Sequence, residues 1–118
     1  MLFTKLTIWQ RTHSLAIKIY QITKAFPNTE LYGVTSQLRR AVTSIPANIV
    51  EGHSRKGTKE FINFLSQARS SLAETQYFLI LSRDLNYIKS ENFEPLAKET
   101  EEIGKMINSF INSLRSKL

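Results

Sequence analysis

Apolar residues recur at steps of three and four along almost the whole chain, in four runs separated by short polar stretches. In the first run Ile8, Leu15, Ile19, Ile22 and Phe26 fall on one side of a helix predicted from about Thr7 to Phe26, closed by Pro27 and Asn28. Trp9, His13, Ala16 and Tyr20 make a second line beside it, and an apolar arc this broad touches more than one neighbour. Packing in a core is the first reading of Trp9 and Tyr20, and stacking on bases the second.

The second run, Leu31, Val34, Leu38, Val42, Ile45 and Ile49, predicts a helix that begins between Glu30 and Thr35 and stops at Gly52. Pro46 lies inside it, which predicts either a kink around residues 42–46 or two short helices, because proline removes a donor and crowds the preceding turn. Residues 52–57 read as a loop bounded by glycines. The third helix is predicted from Thr58, as N-cap, to Leu85. Phe61, Leu65, Ala68, Leu72, Leu79 and Ser82 mark its core line, while Phe64, Tyr77, Phe78, Ile80 and Leu81 widen the apolar surface beyond what one intramolecular face holds. Ser90 is the expected cap of a fourth helix, with Pro95 in its first turn and Phe93, Leu96, Thr100, Ile103, Ile107, Phe110, Leu114 and Leu118 repeating at helical steps. Four such helices predict an all-α fold, an antiparallel up-down-up-down four-helix bundle with its second helix kinked at Pro46.

The 118 residues suit one domain, 1–118. That length is enough to bury about two thirds of the unfolded surface. Only 4 glycines and 3 prolines occur, and 42% of residues are hydrophobic, which argues against disorder. The absence of cysteine excludes disulfides, thiol catalysis and sulfur-ligated zinc. Polar residues interrupt every apolar run, so neither a membrane span nor a secretory leader is predicted, and a cytoplasmic location is the expectation.

Charge changes the picture further. The chain carries a net +6, unevenly distributed: residues 1–89 hold 12 Lys and Arg against 5 Asp and Glu, whereas residues 90–118 hold 4 against 5. A positive field over the first three quarters suits a polyanion such as RNA or DNA, and equally serves solubility. Arg55, Lys56 and Lys59, in the loop and at the helix start after it, are the leading candidate contacts, extended by Arg69 and Arg83. Arg39 and Arg40 point about 100° apart on their helix. Either contacts phosphate through its planar fork or pairs with Glu51, Glu74 or a carboxylate of another subunit.

Ser44, Asn48 and Glu51 form a polar ladder beside Ile45 and Ile49, read as hydrogen bonding between helices or subunits; Glu51 lacks a specific partner for acid–base work. Phe64 and Tyr77 are expected at an interface. His13 and His53 have no ligand spacing, no nucleophile motif or phosphate-binding glycine loop occurs, and no cofactor or metal is expected. A binding or assembly role, not an enzyme, is the expectation.

The stretch Ser36-Gln37-Leu38-Arg39-Arg40-Ala41-Val42-Thr43-Ser44-Ile45-Pro46-Ala47-Asn48-Ile49-Val50-Glu51-Gly52 resembles the signature of the bacterial four helix bundle family, the ribosomal RNA intervening-sequence proteins. The likeness extends to Ile8-Trp9-Gln10, Tyr20, Phe26-Pro27, Lys59-Glu60-Phe61, Phe64-Leu65 and Ala68 to Glu74, with Ser70 where the family often has glycine. The resemblance implies a ring-shaped homopentamer. It also implies an accessory role beside a nucleic-acid-processing protein, since a relative in diversity-generating retroelements works with a reverse transcriptase and binds nucleic acid. A protein-binding scaffold without nucleic-acid contact is the alternative.

Overall fold

The computed structural model describes residues 2–118, and the four apolar runs fold as four helices: α1 (Thr7–Thr23), α2 (Val34–His53), α3 (Thr58–Asp84) and α4 (Ser90–Arg115). Two 3-10 turns, Phe3–Lys5 and Asn28–Glu30, precede α1 and α2. Helices touch only in the order α1–α2, α2–α3, α3–α4 and α1–α4 among the described residues, so they occupy the corners of a square in chain order. The result is an all-α four-helix bundle measuring 46 × 23 × 21 Å. Late residues of one helix meet early residues of the next: Ser44 meets Ser71 while Gly52 meets Phe61 and Phe64, and Arg69 meets Asn108 while Arg83 meets Phe93.

The core follows the helical spacing. Leu15, Ile19, Leu38, Val42, Ile45, Ile49, Leu65, Leu79, Ile103 and Ile107 are buried at the centre. In the last turns of α4 the inward position is Ile111, with Phe110 half-buried beside it and Leu118 exposed. Most buried hydroxyls turn back on their own helix: Thr12, Thr23, Thr75 and Ser82 donate to the carbonyls of Ile8, Ile19, Ser71 and Phe78.

Several boundaries differ from the sequence expectation for local reasons. Helix α1 ends at Thr23, not Phe26, because its last turn tightens before Pro27, the N–H groups of Lys24, Ala25 and Phe26 donating to carbonyls three residues back; Phe26 still reaches the core and packs against Tyr87. Helix α2 runs unbroken past Pro46 as one element, not two short ones. It also continues through Gly52 to His53. No described glycine has a positive φ, so Gly52 is not a left-handed stop. A Cβ there would lie 2.8 Å from both Phe61 Cδ1 and Phe64 Cβ, so the glycine lets α2 and α3 approach closely. Thr58 and Ser90 are already helical; the capping positions with extended backbone are Gly57 and Lys89. The left-handed residue that ends α3 is Asn86 (φ 64°), with the Tyr87 N–H donating to the Ser82 carbonyl at 2.8 Å and the Asn86 N–H to that of Arg83 at 2.9 Å.

Candidate nucleic-acid interface

The link between α2 and α3 is short because both helix ends are closed locally. Ser54 Oγ donates to the Glu51 carbonyl at 2.7 Å, and extended Gly57 accepts from the Phe61 N–H at 3.1 Å. Arg55 is pinned across this link. Its guanidinium lies 5.0 Å from the Phe64 ring centroid and pairs with Glu51 at 3.4 Å and, more loosely, Glu60 at 3.9 Å. Lys56 and Lys59 are exposed, and neither has a carboxylate within ion-pair distance among the described residues.

Tertiary packing adds cations that sequence windows separate. Phe61 packs edge-on to Phe110 at 5.2 Å and to His53 at 6.1 Å, which brings the last turns of α4 beside the start of α3. Leu6, Thr7 and Ile8 lie against Ser109 and Phe110, bringing the start of α1 to the same end. Exposed Lys5, Arg115 and Lys117 thereby share one pole with Arg55, Lys56 and Lys59, against Glu51 and Glu60 alone. The opposite pole, with Lys24, Arg83 and Lys89 facing Glu30, Asp84, Glu91 and Glu94, has no such excess.

The other sequence-predicted cations are not gathered there. Arg39 and Arg40 sit about 20 Å up α2 at 1.5 Å per residue. Arg39 does not pair with Glu51 or Glu74; it donates to Thr23 Oγ1 at 2.8 Å and lies over the Tyr20 ring at 4.7 Å, joining α2 to α1. Arg40 is exposed. Arg69 donates to Asn108 of α4 at 2.9 Å, and Arg83 binds Asp84 at 3.0 Å while covering Phe93. Those contacts tie Arg69 and Arg83 to the α3–α4 side and do not extend the loop cluster.

Within the polar ladder, the Ser44 and Ser71 hydroxyls bond across α2 and α3 at 2.9 Å, while the Asn48 amide donates back to Ser44 in its own helix. Glu51 is turned to Arg55. Phe64 is half-buried beneath Arg55, and Tyr77 is 57% exposed.

Two further polar sites join helices. Arg11 bridges α1 to α4, binding Glu99 at 3.1 Å and Glu102 at 2.9 Å; those hydrogen bonds, first with Glu99 and then with Glu102, raise its pKa further above the ordinary arginine value, against a smaller lowering by burial. The Tyr87 hydroxyl donates to Glu30 at 2.7 Å, and this bond, more than burial, raises the phenol above its ordinary pKa. Glu30 also accepts from the Val34 N–H at 3.3 Å, closing the start of α2.

An open apolar groove of about 720 Å³ runs between α1 and α2. Trp9 and His13 stack in it at 4.7 Å, and Ile17, Tyr20, Pro46, Ala47 and Val50 continue the lining. Tyr20 is 42% exposed, His13 exposed and Trp9 half-buried, so of the second apolar line of α1 only Ala16 joins the core and the rest forms a surface. Among the described residues there is no group of three His, Cys, Asp or Glu side chains placed to hold a metal ion, and no helix is long and apolar enough to cross a membrane.

The family model described as 23S rRNA-intervening sequence protein matches residues 4–109. A crystal structure of a protein of unknown function from the S23 ribosomal protein family of Bacteroides thetaiotaomicron is similar at 30% identity, covering 89% of this chain and 98% of that one with a TM-score of 0.82. No curated protein matches.

Proposed function

We propose that this chain, which belongs to the 23S rRNA-intervening sequence protein family, is a non-catalytic, self-associating helical protein that binds nucleic acid through its basic pole as a cytoplasmic accessory factor. The observation that carries this reading is the convergence of Lys5, Arg55, Lys56, Lys59, Arg115 and Lys117 at one end of a 46 Å rod. Cations so placed attract phosphates chiefly by releasing condensed counterions, with little sequence preference. Pinned Arg55 offers a positioned donor fork, and the lysines offer mobile point charges. The family's description makes structured RNA the first nucleic acid to try. In a homo-oligomer, a pentamer by the sequence resemblance, the pole would repeat and its field would add.

The test is a titration of the protein with structured RNA at several salt concentrations. Affinity should fall steeply as salt rises, with a slope of log K on log salt reduced by about 0.7–0.9 for each phosphate contact removed. Arg55→Ala with Lys56→Ala, and separately Arg115→Ala with Lys117→Ala, should flatten that slope, whereas Arg69→Ala should leave it unchanged. No binding at low salt, or equal effects of all three variants, overturns the proposal.

A further inference from the structure

We infer that the outward side of Arg55 is a stacking platform for an unpaired nucleobase, with Lys56 and Lys59 taking the phosphates beside it; this rests on the reading of the basic pole as a nucleic-acid surface and names the form of nucleic acid it takes. Among the described residues three arginines lie over aromatic rings: Arg39 over Tyr20, Arg55 over Phe64 and Arg83 over Phe93. Arg39 is engaged in joining α2 to α1, and Arg83 sits at the opposite pole against Asp84. Arg55 stands in the cation cluster, with exposed Lys56 next to it and exposed Lys59 in the first turn of α3.

The guanidinium has used and unused surfaces. One side lies over Phe64, 5.0 Å from the ring centroid, and two terminal nitrogens point to carboxylates, Nη2 to Glu51 at 3.4 Å and Nη1 to Glu60 at 3.9 Å. A phosphate approaching along those two directions meets like charge, so only the rest of the donor fork serves phosphate. The side turned away from Phe64 carries neither a ring nor a carboxylate among the described residues, and the side chain is 43% exposed. A flat, neutral base laid there gains a cation–π and dispersion contact with a group already held in place, so little side-chain freedom is lost on binding. The ligand that suits the whole cluster is therefore flat and uncharged where it touches Arg55 and anionic close by. An unpaired nucleotide has that form. In a duplex the base faces are covered by their neighbours, and an acidic side chain brings charge without a flat neutral face.

The experiment is fluorescence anisotropy on the full chain at one low salt concentration, with a short single-stranded RNA and with the same strand carrying abasic residues in place of its bases, so that charge and length are constant. The intact strand should bind tighter by about two- to fivefold for each base engaged, the range of a cation–π contact at an exposed site. Arg55→Lys keeps the charge and removes the planar face, and should bring the ratio of the two affinities to about one. In Arg115→Lys, an exposed pole position with no aromatic ring beneath it, the ratio should stay as in the unaltered chain. Both arginines are exposed, so circular dichroism should show the same helical signal in both variants. An abasic strand that binds as tightly as the intact one, or a ratio that survives Arg55→Lys, overturns the stacking while leaving the pole a phosphate surface. An equal fall in the ratio in both variants also overturns it, since the preference then belongs to the pole as a whole. Binding of neither strand overturns the nucleic-acid reading itself, and this inference with it.

Discussion

Gly52→Ala sets two ordinary rules of protein stability against each other. In a helix interior, replacing glycine by alanine normally stabilises by about 1 kcal/mol, because glycine loses more backbone freedom on folding. At Gly52 the added methyl would meet Phe61 Cδ1 and Phe64 Cβ, each at 2.8 Å. The second of these atoms is bound directly to the α3 backbone and cannot swing aside, so α2 and α3 must separate. Overpacking of this kind costs about 1–3 kcal/mol, and the rigid neighbour favours the upper part of that range. The expected net effect is a loss of about 1–2 kcal/mol, or a fall in Tm of roughly 3–10 °C for a domain of this size. Gly104→Ala is the internal control: its Cβ would make ordinary contact with Leu72 Cδ2 at 3.4 Å, the end of a flexible side chain. That variant should be stabilised by about 0.5–1 kcal/mol. Urea unfolding followed by circular dichroism should show the two midpoints moving in opposite directions at unchanged slope. A stabilised Gly52→Ala would refute the close approach of α2 and α3, and with it the placement of Arg55 over Phe64.

Other expectations concern the polar links between helices. In a double-mutant cycle on Ser44→Ala and Ser71→Ala, chemical unfolding should give a coupling of about 0.5–1.5 kcal/mol, the pair together costing less than the sum of the singles; additive effects would mean the hydroxyls do not bond. Arg11→Met should destabilise by about 0.5–1.5 kcal/mol, a loss that shrinks in high salt because the pair is partly solvated, so a salt-independent loss would assign it to packing alone. Tyr87 should titrate above 10.0, its ordinary value, in an ultraviolet phenolate titration of the folded protein. A raised folded-state pKa means that its contribution is fully present below the unfolded value and is lost as pH rises through the folded one; Tyr87→Phe should remove that alkaline decline in stability.

The four helices and most of their core were legible because burial on one face of a helix imposes a spacing that survives in sequence. Leu38, Val42, Ile45 and Ile49 are all fully buried, as are Ile103 and Ile107. The same spacing misplaced Phe110 and Ile111, since adjacent apolar residues near a helix end satisfy the repeat equally and only the neighbour's shape decides. Gly52 read as a stop because glycine's two uses, freedom of φ and lack of a Cβ, look alike until the opposing phenyl rings are known. The basic loop was visible as Arg55, Lys56 and Lys59. Its companions Arg115 and Lys117 were hidden in a segment whose net charge is slightly negative, because acidic residues elsewhere on α4 cancel them in a count along the chain but not in space. Tyr20 and Trp9 have the period of core residues, and period alone does not tell a core face from an exposed groove.

The hydroxyls that bond within their own helix bear on how freely this sequence can diverge. Buried Thr12 and Thr75 answer only to a carbonyl one turn back and require nothing from the facing helix, so valine at either strands no partner and needs no second change elsewhere, whereas Thr23 also accepts from Arg39 of α2. Ser44 and Ser71 are different: each completes the other, and a lineage that loses one is under pressure to lose both. Sequence drift in this bundle is therefore constrained in pairs along the α2–α3 seam and residue by residue at the self-bonded threonines.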